Sequence, residues 1–273
     1  MMEFVHPFDD FEALCRLYGD AFSVSEKYLR FLSEHGWLNP SVLYAVTENG
    51  ELQSALAAPQ YMLRCGDFEG LCSYFCYVAS FTKSRSKGYA SALIRFAIDD
   101  LKKQKVPFVC LIPATASLFS YYGRFGFSEM FSYSKTMINP NGFEVGTFQK
   151  ISSEKVEDYY PRYQERYQKM PFCCYKPKSM FSAYAAEHIL SGGEIFTDGQ
   201  DVIFAMKEPA QYRVVEYSGS PSFQAFCNSV DMPVCIEDAG SDSVLGMGLV
   251  LDHQQICPAD LSGNLGYCNA MFN

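Results

Sequence analysis

Six consecutive residues, RSKGYA from Arg85 to Ala90, carry the clearest chemical signal in this sequence. The run before them, Tyr74 to Phe81, is aromatic and β-branched, which favours a strand. The run after them, 90–102, has apolar residues at helical spacing. A strand that turns directly into a helix leaves backbone N–H groups without partners at the positive end of the helix dipole. We therefore predict an anion site in this turn.

The residue types in the turn suit a phosphate ligand. Gly88 can adopt a positive φ and lets the backbone approach a ligand closely. Arg85 and Lys87 add positive charge, and Ala90 keeps the start of the helix small. Consecutive N–H groups from 85 to 90 can then surround a pyrophosphate. The alternative is a turn that only joins a strand to a helix.

A second motif follows about thirty residues later. The stretch 111–127, LIPATASLFSYYGRFGF, predicts the end of a buried strand and a helix that stops at Gly123. Together the two motifs resemble the GCN5-related N-acetyltransferases, the GNAT superfamily. Its signature is Arg or Gln, two residues, Gly, one residue, then Gly or Ala, between a strand and a helix; Arg85, Gly88 and Ala90 match it. YYGRFGF is similar to the multi-domain GNATs typified by the enhanced intracellular survival (Eis) acetyltransferases.

The resemblance implies a fold and a domain organisation. We expect a mixed α/β chain with two tandem GNAT-like domains. Residues 1–145 would be the catalytic domain that binds acetyl-CoA. Residues 148–273 repeat a similar order of elements without a basic glycine turn, so they would form a degenerate domain without a cofactor site. From the same resemblance we expect no counterpart of the sterol-carrier-like third domain that is usual in Eis-like proteins.

The resemblance also implies which residues contact the cosubstrate. In GNATs the strand before the turn splays away from its neighbour and offers free backbone groups to the pantetheine arm and the thioester carbonyl. On this basis the expected acetyl-CoA-binding residues are Tyr77, Val78, Ala79, Arg85, Ser86, Lys87, Gly88, Tyr89, Ala90 and Ser117.

Tyr122 matches the catalytic tyrosine of the family. A tyrosine near the sulfur can donate a proton to the departing thiolate, because phenol and thiol pKa values lie within about two units. Tyr121 is the alternative, since a helix can direct only one of the two at the cosubstrate.

The base that deprotonates the acceptor is a separate expectation. In Eis-like proteins the C-terminal carboxylate is thought to reach the active site, and the apolar ending GYCNAMFN suggests the same role for Asn273. The alternative is that this segment only completes a strand. None of the four histidines has a triad-like sequence context.

Composition narrows the classes of partner. The formal net charge of -9, from 22 basic and 31 acidic residues, argues against nucleic-acid binding. No signal peptide and no membrane-spanning run is expected. The 11 cysteines are an odd, scattered set without paired CxxC spacing, so we expect reduced thiols, a cytoplasmic location and no metal site. The oligomeric state stays open, with a homodimer as one option.

The resulting hypothesis is an N-acetyltransferase. Acetyl would pass from acetyl-CoA to a primary amine by direct attack in a ternary complex. The acceptor is a small-molecule or peptidyl amine, and the acidic composition weakly favours a cationic one. Two alternatives are a non-catalytic acyl-CoA-binding regulator and an interaction scaffold.

Overall fold

The chain forms alternating helices and strands, and its computed structural model describes residues 1–141, 144–256, 261 and 266–268. The elements up to residue 138 are β1 (Met2–Val5), α1 (Phe11–Phe22), α2 (Glu26–Glu34), β2 (Leu43–Glu48), β3 (Glu51–Ala57), β4 (Gln60–Cys65), β5 (Phe68–Tyr74), β6 (Cys76–Ser80), α3 (Tyr89–Lys103), β7 (Phe108–Leu111), α4 (Ala116–Gly123) and β8 (Ser128–Ile138). The later elements are β9 (Gln149–Ile151), α5 (Tyr160–Gln168), β10 (Phe172–Tyr175), α6 (Lys178–Leu190), β11 (Glu194–Thr197), β12 (Val202–Lys207), β13 (Tyr212–Tyr217), α7 (Phe223–Val230), β14 (Val234–Ala239), β15 (Ser243–Val250) and β16 (Tyr267–Cys268). The mixed α/β class expected from the sequence is confirmed.

Contacts divide the chain into two compact units, each assembled from several stretches of sequence. The first unit contains residues 1–61, 71–129 and 246–256. The second contains residues 62–70, 130–245 and the described residues beyond 257. Sequence reasoning placed a division at 145–148 and did not anticipate that 62–70 and 246–256 belong to the other unit. Across the described ranges, no helix is both long enough and apolar enough to cross a membrane.

The first unit begins with two helices whose starts are fixed by side-chain caps. Asp10 accepts a hydrogen bond from the Ala13 amide at the start of α1, at 2.9 Å. Ser25 accepts one from the Tyr28 amide at the start of α2, at 3.3 Å. Such caps satisfy amides that a helix cannot pair internally. The sequence predicts two helices between Pro7 and Gly36, and the structure contains both.

An antiparallel sheet of order β1–β2–β3–β6 packs against α1 and α3, and α2 contacts α1. Asn49 and Gly50, with φ of 52° and 80°, turn β2 into β3 as an Asn-Gly pair predicts. On the other side of the first unit, β7 pairs with β5 in parallel and with 247–250 of β15 in antiparallel register. The short, largely exposed edge strand β1 was not predicted, because its four residues leave no burial pattern.

The pairing of β3 with β6 contains a β-bulge. Ala55 pairs with Ala79, whereas Ala57 pairs with Cys76. Two residues of β6, 77 and 78, therefore stand opposite one residue of β3. A bulge leaves its extra residue unpaired and interrupts the ladder locally. The sequence predicts one strand over the run from Tyr74 to Phe81, whereas β5 ends at Tyr74 and β6 begins at Cys76 and contains this bulge.

The second unit contains a longer mixed sheet. Its strands follow the order β8–β14–β13–β12–β11–β9, with β13 and β14 parallel and the other adjacent pairs antiparallel. Residues 62–65 of β4 pair with β10, which also pairs with β16. The connection β13–α7–β14 joins two parallel strands through a helix, as in a βαβ unit. This arrangement fits the expected repeat of a similar order of elements.

Candidate active site

The loop before α3 presents a row of open backbone amides. Within the described chain, none of the amides from Ser86 to Ser91 donates a hydrogen bond to another backbone or side-chain group. The next amide, that of Ala92, donates to the Gly88 carbonyl at 3.0 Å. Gly88 is the N-cap of α3, and no side chain caps this helix. The helix therefore begins with its amides available to an anion.

Two positive φ angles shape this loop. Ser86 has a φ of 63° and Gly88 has a φ of 87°. Alternating conformations of this kind direct successive N–H groups to one side and form anion-binding concavities. A Cβ added to Gly88 would meet no atom within 4 Å. Glycine is thus favoured at this position by its backbone conformation, and not by crowding within the protein.

Neighbouring elements hold the loop in place. The buried Ser84 hydroxyl donates to the side-chain oxygen of Gln53 on β3, at 2.7 Å. The Thr82 amide donates to the Asp20 carboxylate on α1, at 2.6 Å. This hydrogen bond, with smaller contributions from Arg85 and Lys83, lowers the pKa of Asp20. The loop is therefore tied to the sheet and to α1 before it reaches the open amides.

A pocket of about 530 Å³ opens at this loop. Its lining residues come from β6, the loop, α3 and α4, and they are Val78, Ala79, Ser80, Ser84, Arg85, Ser86, Gly88, Tyr89, Ala90, Ser91, Leu118, Tyr121, Tyr122 and Arg124. The two sequence motifs, about thirty residues apart, thus line one cavity. Its volume is within the range typical of small-molecule and cofactor sites.

Most of the predicted cosubstrate residues line this pocket, and three do not. Lys87 is exposed and is not part of the pocket lining. Ser117 is exposed at the start of α4, where its hydroxyl lies 3.0 Å from that of Thr115, and it is the following Leu118 that lines the pocket. Tyr77 also lies outside the pocket lining and contacts α1 instead.

Tyr89 contributes to the pocket in a different way from that expected of a ligand-binding side chain. Its hydroxyl donates to the Glu48 carboxylate at 2.6 Å, and its ring is buried in the core beneath α3. The hydrogen bond with Glu48 raises the pKa of Tyr89. The backbone amide of Tyr89 therefore remains the group available to a ligand.

Tyr121 and Tyr122 both line the pocket but differ in their hydroxyl contacts. The Tyr121 hydroxyl lies 3.2 Å from the Ser91 hydroxyl. The Tyr122 side chain is largely buried and makes no hydrogen bond within the described ranges. Burial, followed by the nearby Tyr121 and Cys76, raises the pKa of Tyr122. Tyr122 thus places in the pocket a protonated hydroxyl that is not hydrogen-bonded to another described residue.

Sequence reasoning assigned no role to several residues that the structure places in the lining. Arg124 lies with its guanidinium 4.8 Å from the centre of the Tyr121 ring. Like Arg85, it adds positive charge to a pocket whose described lining contains no carboxylate and no imidazole. The basic residue within YYGRFGF was the available signal for Arg124. Ser80, Ser84 and Ser91 carried no signal, because single serines occur throughout the chain.

Comparison with known proteins agrees with this geometry. Residues 8–130 match the family model described as the acetyltransferase (GNAT) domain. The chain carries a GNAT domain. The matched segment includes both motifs and the pocket that they line. A GNAT domain implies acyl transfer with an acyl-CoA cosubstrate and, in general, an amine acceptor.

Solved structures extend the likeness beyond the matched GNAT domain. A GCN5-related N-acetyltransferase from Anabaena variabilis is similar with a TM-score of 0.77, at 13% identity over 93% of this chain and 74% of that one. One from Kribbella flavida has a TM-score of 0.72, at 12% identity over 93% and 72% of the two chains. Eis1 from Mycobacterium abscessus has a TM-score of 0.67, at 11% identity over 92% and 74%. At these identities the likeness shows the shared fold, and no curated protein matches the sequence significantly.

The helix of the second unit that follows a parallel strand, α7, differs from α3 of the GNAT domain at its start. The Ser222 side chain accepts a hydrogen bond from the Ala225 amide at 3.1 Å and so caps α7. In the preceding turn, the Ser220 amide donates to the carboxylate of Asp201 at 3.1 Å. These amides already have acceptors, and a carboxylate there would repel a phosphate. The start of α7 therefore differs from that of α3 in having fewer amides open to an anion.

Asn273, predicted to supply a catalytic carboxylate, lies outside the described residues. None of the four histidines lines the pocket.

Proposed function

We propose that the protein is an N-acetyltransferase that moves acetyl from acetyl-CoA to a primary amine. The observation that carries this proposal is a single pocket that combines the open amides of 86–91 with the uncommitted hydroxyl of Tyr122. An anion site alone would suit many phosphate ligands. Tyr122, a general acid in the same pocket, fits acyl transfer from a thioester, because the sulfur that leaves as a thiolate needs a proton.

The residues divide the work between binding and chemistry. The amides of Ser86 to Ser91 bind the pyrophosphate, with Arg85 adding charge. The free backbone groups at the bulge of β6, with Val78 and Ala79 beside it, hold the pantetheine arm and polarise the thioester carbonyl. Lys87 and Ser117, which are exposed and do not line the pocket, have at most an electrostatic or peripheral part in binding.

The transfer step conserves atoms and charge. The amine nitrogen attacks the carbonyl carbon, and the carbon–sulfur bond breaks with its electron pair on sulfur. The Tyr122 hydroxyl gives its proton to that sulfur, and the amine loses one proton as the amide forms. The products are the N-acetylated amine and the free thiol of CoA. No enzyme cysteine needs to carry the acetyl group.

Deprotonation of the amine needs a group other than the described lining residues, none of which is a carboxylate or an imidazole. The Asn273 carboxylate remains our candidate for this base, either removing the proton or orienting the ammonium by its charge. Solvent is the alternative acceptor of the proton. Residues 1–145 would carry the catalysis, and 148–273 would form the degenerate domain.

The proposal is tested by separating cosubstrate binding from turnover. Isothermal titration should show that acetyl-CoA binds much more tightly than S-acetylpantetheine, which lacks the pyrophosphate. A thiol-reactive dye should then report release of CoA when primary amines are added. Binding of acetyl-CoA without amine-dependent release would favour the regulator over the transferase. Equal affinity for the two thioesters would show that the loop does not bind the pyrophosphate.

A further inference from the structure

Three aromatic rings meet on the side of β6 that contacts α1. The ring centre of Tyr77 lies 5.3 Å from that of Tyr18 and 5.7 Å from that of Phe22. Tyr18 and Phe22, four residues apart on α1, have ring centres 5.8 Å apart. We call Tyr18, Phe22 and Tyr77 the aromatic triad. It is formed by the bulge residue of β6 and the last turn of α1, so it adjoins the backbone that the proposed function assigns to the thioester.

The backbone of Tyr77 is held in an unfavourable conformation. Its φ of 51° is left-handed, a region that residues with large side chains rarely adopt because of backbone strain. Strained residues of this kind persist where the surroundings fix them, and they cluster at functional sites. The contacts with Tyr18 and Phe22 are part of those surroundings. In this backbone conformation the Tyr77 ring contacts α1.

The hydroxyl of Tyr18 is a buried polar group that lacks a partner among the described residues. Tyr18 is 0% exposed, and its hydroxyl makes no hydrogen bond to any part of the chain that the structure describes. Burying such a group unsatisfied is costly, which is why native structures rarely leave one without a reason. Cys76, which directly precedes Tyr77 in β6, is among the groups that raise the pKa of both Tyr18 and Tyr122. The Tyr18 hydroxyl is therefore a protonated donor without an acceptor among the described residues.

Phe22 gives the triad an opening to solvent. It is 45% exposed, whereas Tyr18 beneath it is fully covered. A large exposed aromatic side chain beside a strained tyrosine and an unpartnered hydroxyl is the arrangement expected of a surface that binds an apolar ligand with a polar group. A ligand would contact Phe22 first and reach the Tyr18 hydroxyl when the Phe22 ring turns aside.

We propose that the aromatic triad is the acceptor subsite of the transferase, and that its substrate is a monoamine carried on an aromatic or aliphatic body. This inference rests on the proposed function. The apolar body packs against Phe22 and Tyr77, and the ammonium lies over a ring face, where cations are attracted. The Tyr18 hydroxyl hydrogen-bonds the amine and directs it at the thioester.

The charges near the triad argue against a polycation as the acceptor. Tyr77 lies among aromatic rings, those of Tyr18 and Phe22, and neither ring carries a charge. Asp20 is the acidic residue of α1 nearest to Phe22 in sequence, and its carboxylate is already bound to the Thr82 amide. A second or third ammonium would therefore lose water without gaining a partner. This refines the expectation of a cationic acceptor to one with a single charge.

The first test measures acceptor binding and turnover separately. With the CoA-loaded protein, titration should show that 2-phenylethylamine binds and that spermidine binds at least about tenfold more weakly, the scale of one unpaired polar contact. Phe22→Ala should weaken 2-phenylethylamine about tenfold and leave acetyl-CoA affinity unchanged. Phe11→Ala, at the opposite end of α1, is the matched control and should leave both affinities unchanged.

Turnover then distinguishes failure of the subsite from failure of the proposed function. Amine-dependent CoA release that does not change in Phe22→Ala, or that prefers spermidine, would overturn the subsite and leave the transferase standing. Phe22-dependent amine binding without CoA release would overturn the transferase and leave the subsite standing. If the amine neither binds nor causes release of CoA, both the subsite and the transferase are overturned.

Tyr18→Phe tests the role of the hydroxyl separately from the packing of the ring. The variant removes only the buried unpartnered hydroxyl, so its melting temperature should stay the same or rise. The kcat/KM for 2-phenylethylamine should nevertheless fall about tenfold, because the hydrogen bond to the amine is lost. A stable variant with unchanged kcat/KM would show that Tyr18 only fills space.

Discussion

Tyr121 and Tyr122 are adjacent in the sequence, yet their surroundings equip only one of them to act as an acid. The Tyr121 hydroxyl lies 3.2 Å from that of Ser91, whereas Tyr122 has no hydrogen-bond partner in the described part of the chain. We expect Tyr122→Phe to lower kcat about a hundredfold, the usual contribution of a general acid, without changing acetyl-CoA affinity. Steady-state CoA release and calorimetric titration measure the two quantities.

Tyr121→Phe is the matched control for this prediction. It removes the contact with Ser91 at the start of α3 and leaves the proposed acid in place. Its kcat should stay close to that of the unmodified protein. A larger loss of kcat in Tyr121→Phe than in Tyr122→Phe would assign the acid to Tyr121.

The raised pKa of Tyr122 also sets the pH dependence of the reaction. A general acid works only while it is protonated, and burial lifts the pKa of Tyr122 above its ordinary value of 10. The proton therefore stays on Tyr122 at every pH up to 10, so this group should cause no decline of kcat from neutral pH to pH 10. A decline below pH 10 that is absent from Tyr122→Phe would contradict this assignment.

At the scale of elements, the junction between the loop and α3 determines cosubstrate binding. Gly88 combines a φ of 87° with open space where a side chain would project. In Gly88→Glu a carboxylate would enter that space and oppose the pyrophosphate in front of the open amides. We expect acetyl-CoA affinity to fall about a hundredfold or more, and stability to fall by about 1 kcal/mol from backbone strain. Calorimetric titration and urea unfolding measure the two effects.

Gly50→Glu separates the electrostatic effect from the strain. Gly50, in the β2–β3 turn of the same unit, has a φ of 80° and equally open space at its Cβ position. The control should lose similar stability and keep its affinity for acetyl-CoA. If both variants bound acetyl-CoA equally well, the loop would not be the phosphate site.

The loop could be predicted from the sequence because its chemistry is local. Gly88, its basic neighbours and the flanking strand and helix lie within one short segment, and Tyr122 lies in an equally compact motif. The bulge at Tyr77 could not be predicted, since it depends on the register between β3 and β6, which are distant in sequence. The aromatic triad could not be predicted either, because it forms only where α1 packs against β6, and these elements are distant in sequence. Short strands such as β10 were missed because four residues show no clear period.

At the scale of the whole molecule, one buried histidine links stability to pH. His188 on α6 is fully buried, and its Nε2 lies 3.1 Å from the Glu194 carbonyl and 3.2 Å from the Ala205 carbonyl. Burial lowers the pKa of His188 from 6.5 to about 4. The unfolded chain therefore binds a proton between these values that the folded chain does not, so stability is full above pH 6.5 and falls as the pH drops towards 4.

The size of this effect follows from the pKa difference. We expect His188 to account for a loss of roughly 3 kcal/mol between pH 7 and pH 4. Urea unfolding of the unmodified protein and of His188→Gln across this range measures it. The variant should be less stable at pH 7 but should show a shallower decline. Parallel declines would mean that other groups carry the acid sensitivity.

The exchange of segments between the two units decides whether the GNAT domain can be isolated. Residues 247–250 of β15 pair with β7, which lies in the core beside the pocket, and 246–256 belong to the first unit. A fragment of residues 1–145 lacks this strand and exposes the edge of β7 that it would cover. We expect the fragment to aggregate or to lack acetyl-CoA binding, because an unpaired buried edge strand is unstable and associates.

Restoring the missing strand is the control for that prediction. Residues 246–256, joined to the 1–145 fragment through a flexible linker, should recover soluble protein and cosubstrate binding if the loss comes from β7. Circular dichroism and titration with acetyl-CoA report the two properties. A bare 1–145 fragment that binds acetyl-CoA as tightly as the full chain would show that the domain predicted from sequence folds alone and that β15 is dispensable. Recovery only in the joined fragment would instead show that the GNAT domain is completed by sequence more than a hundred residues after its second motif.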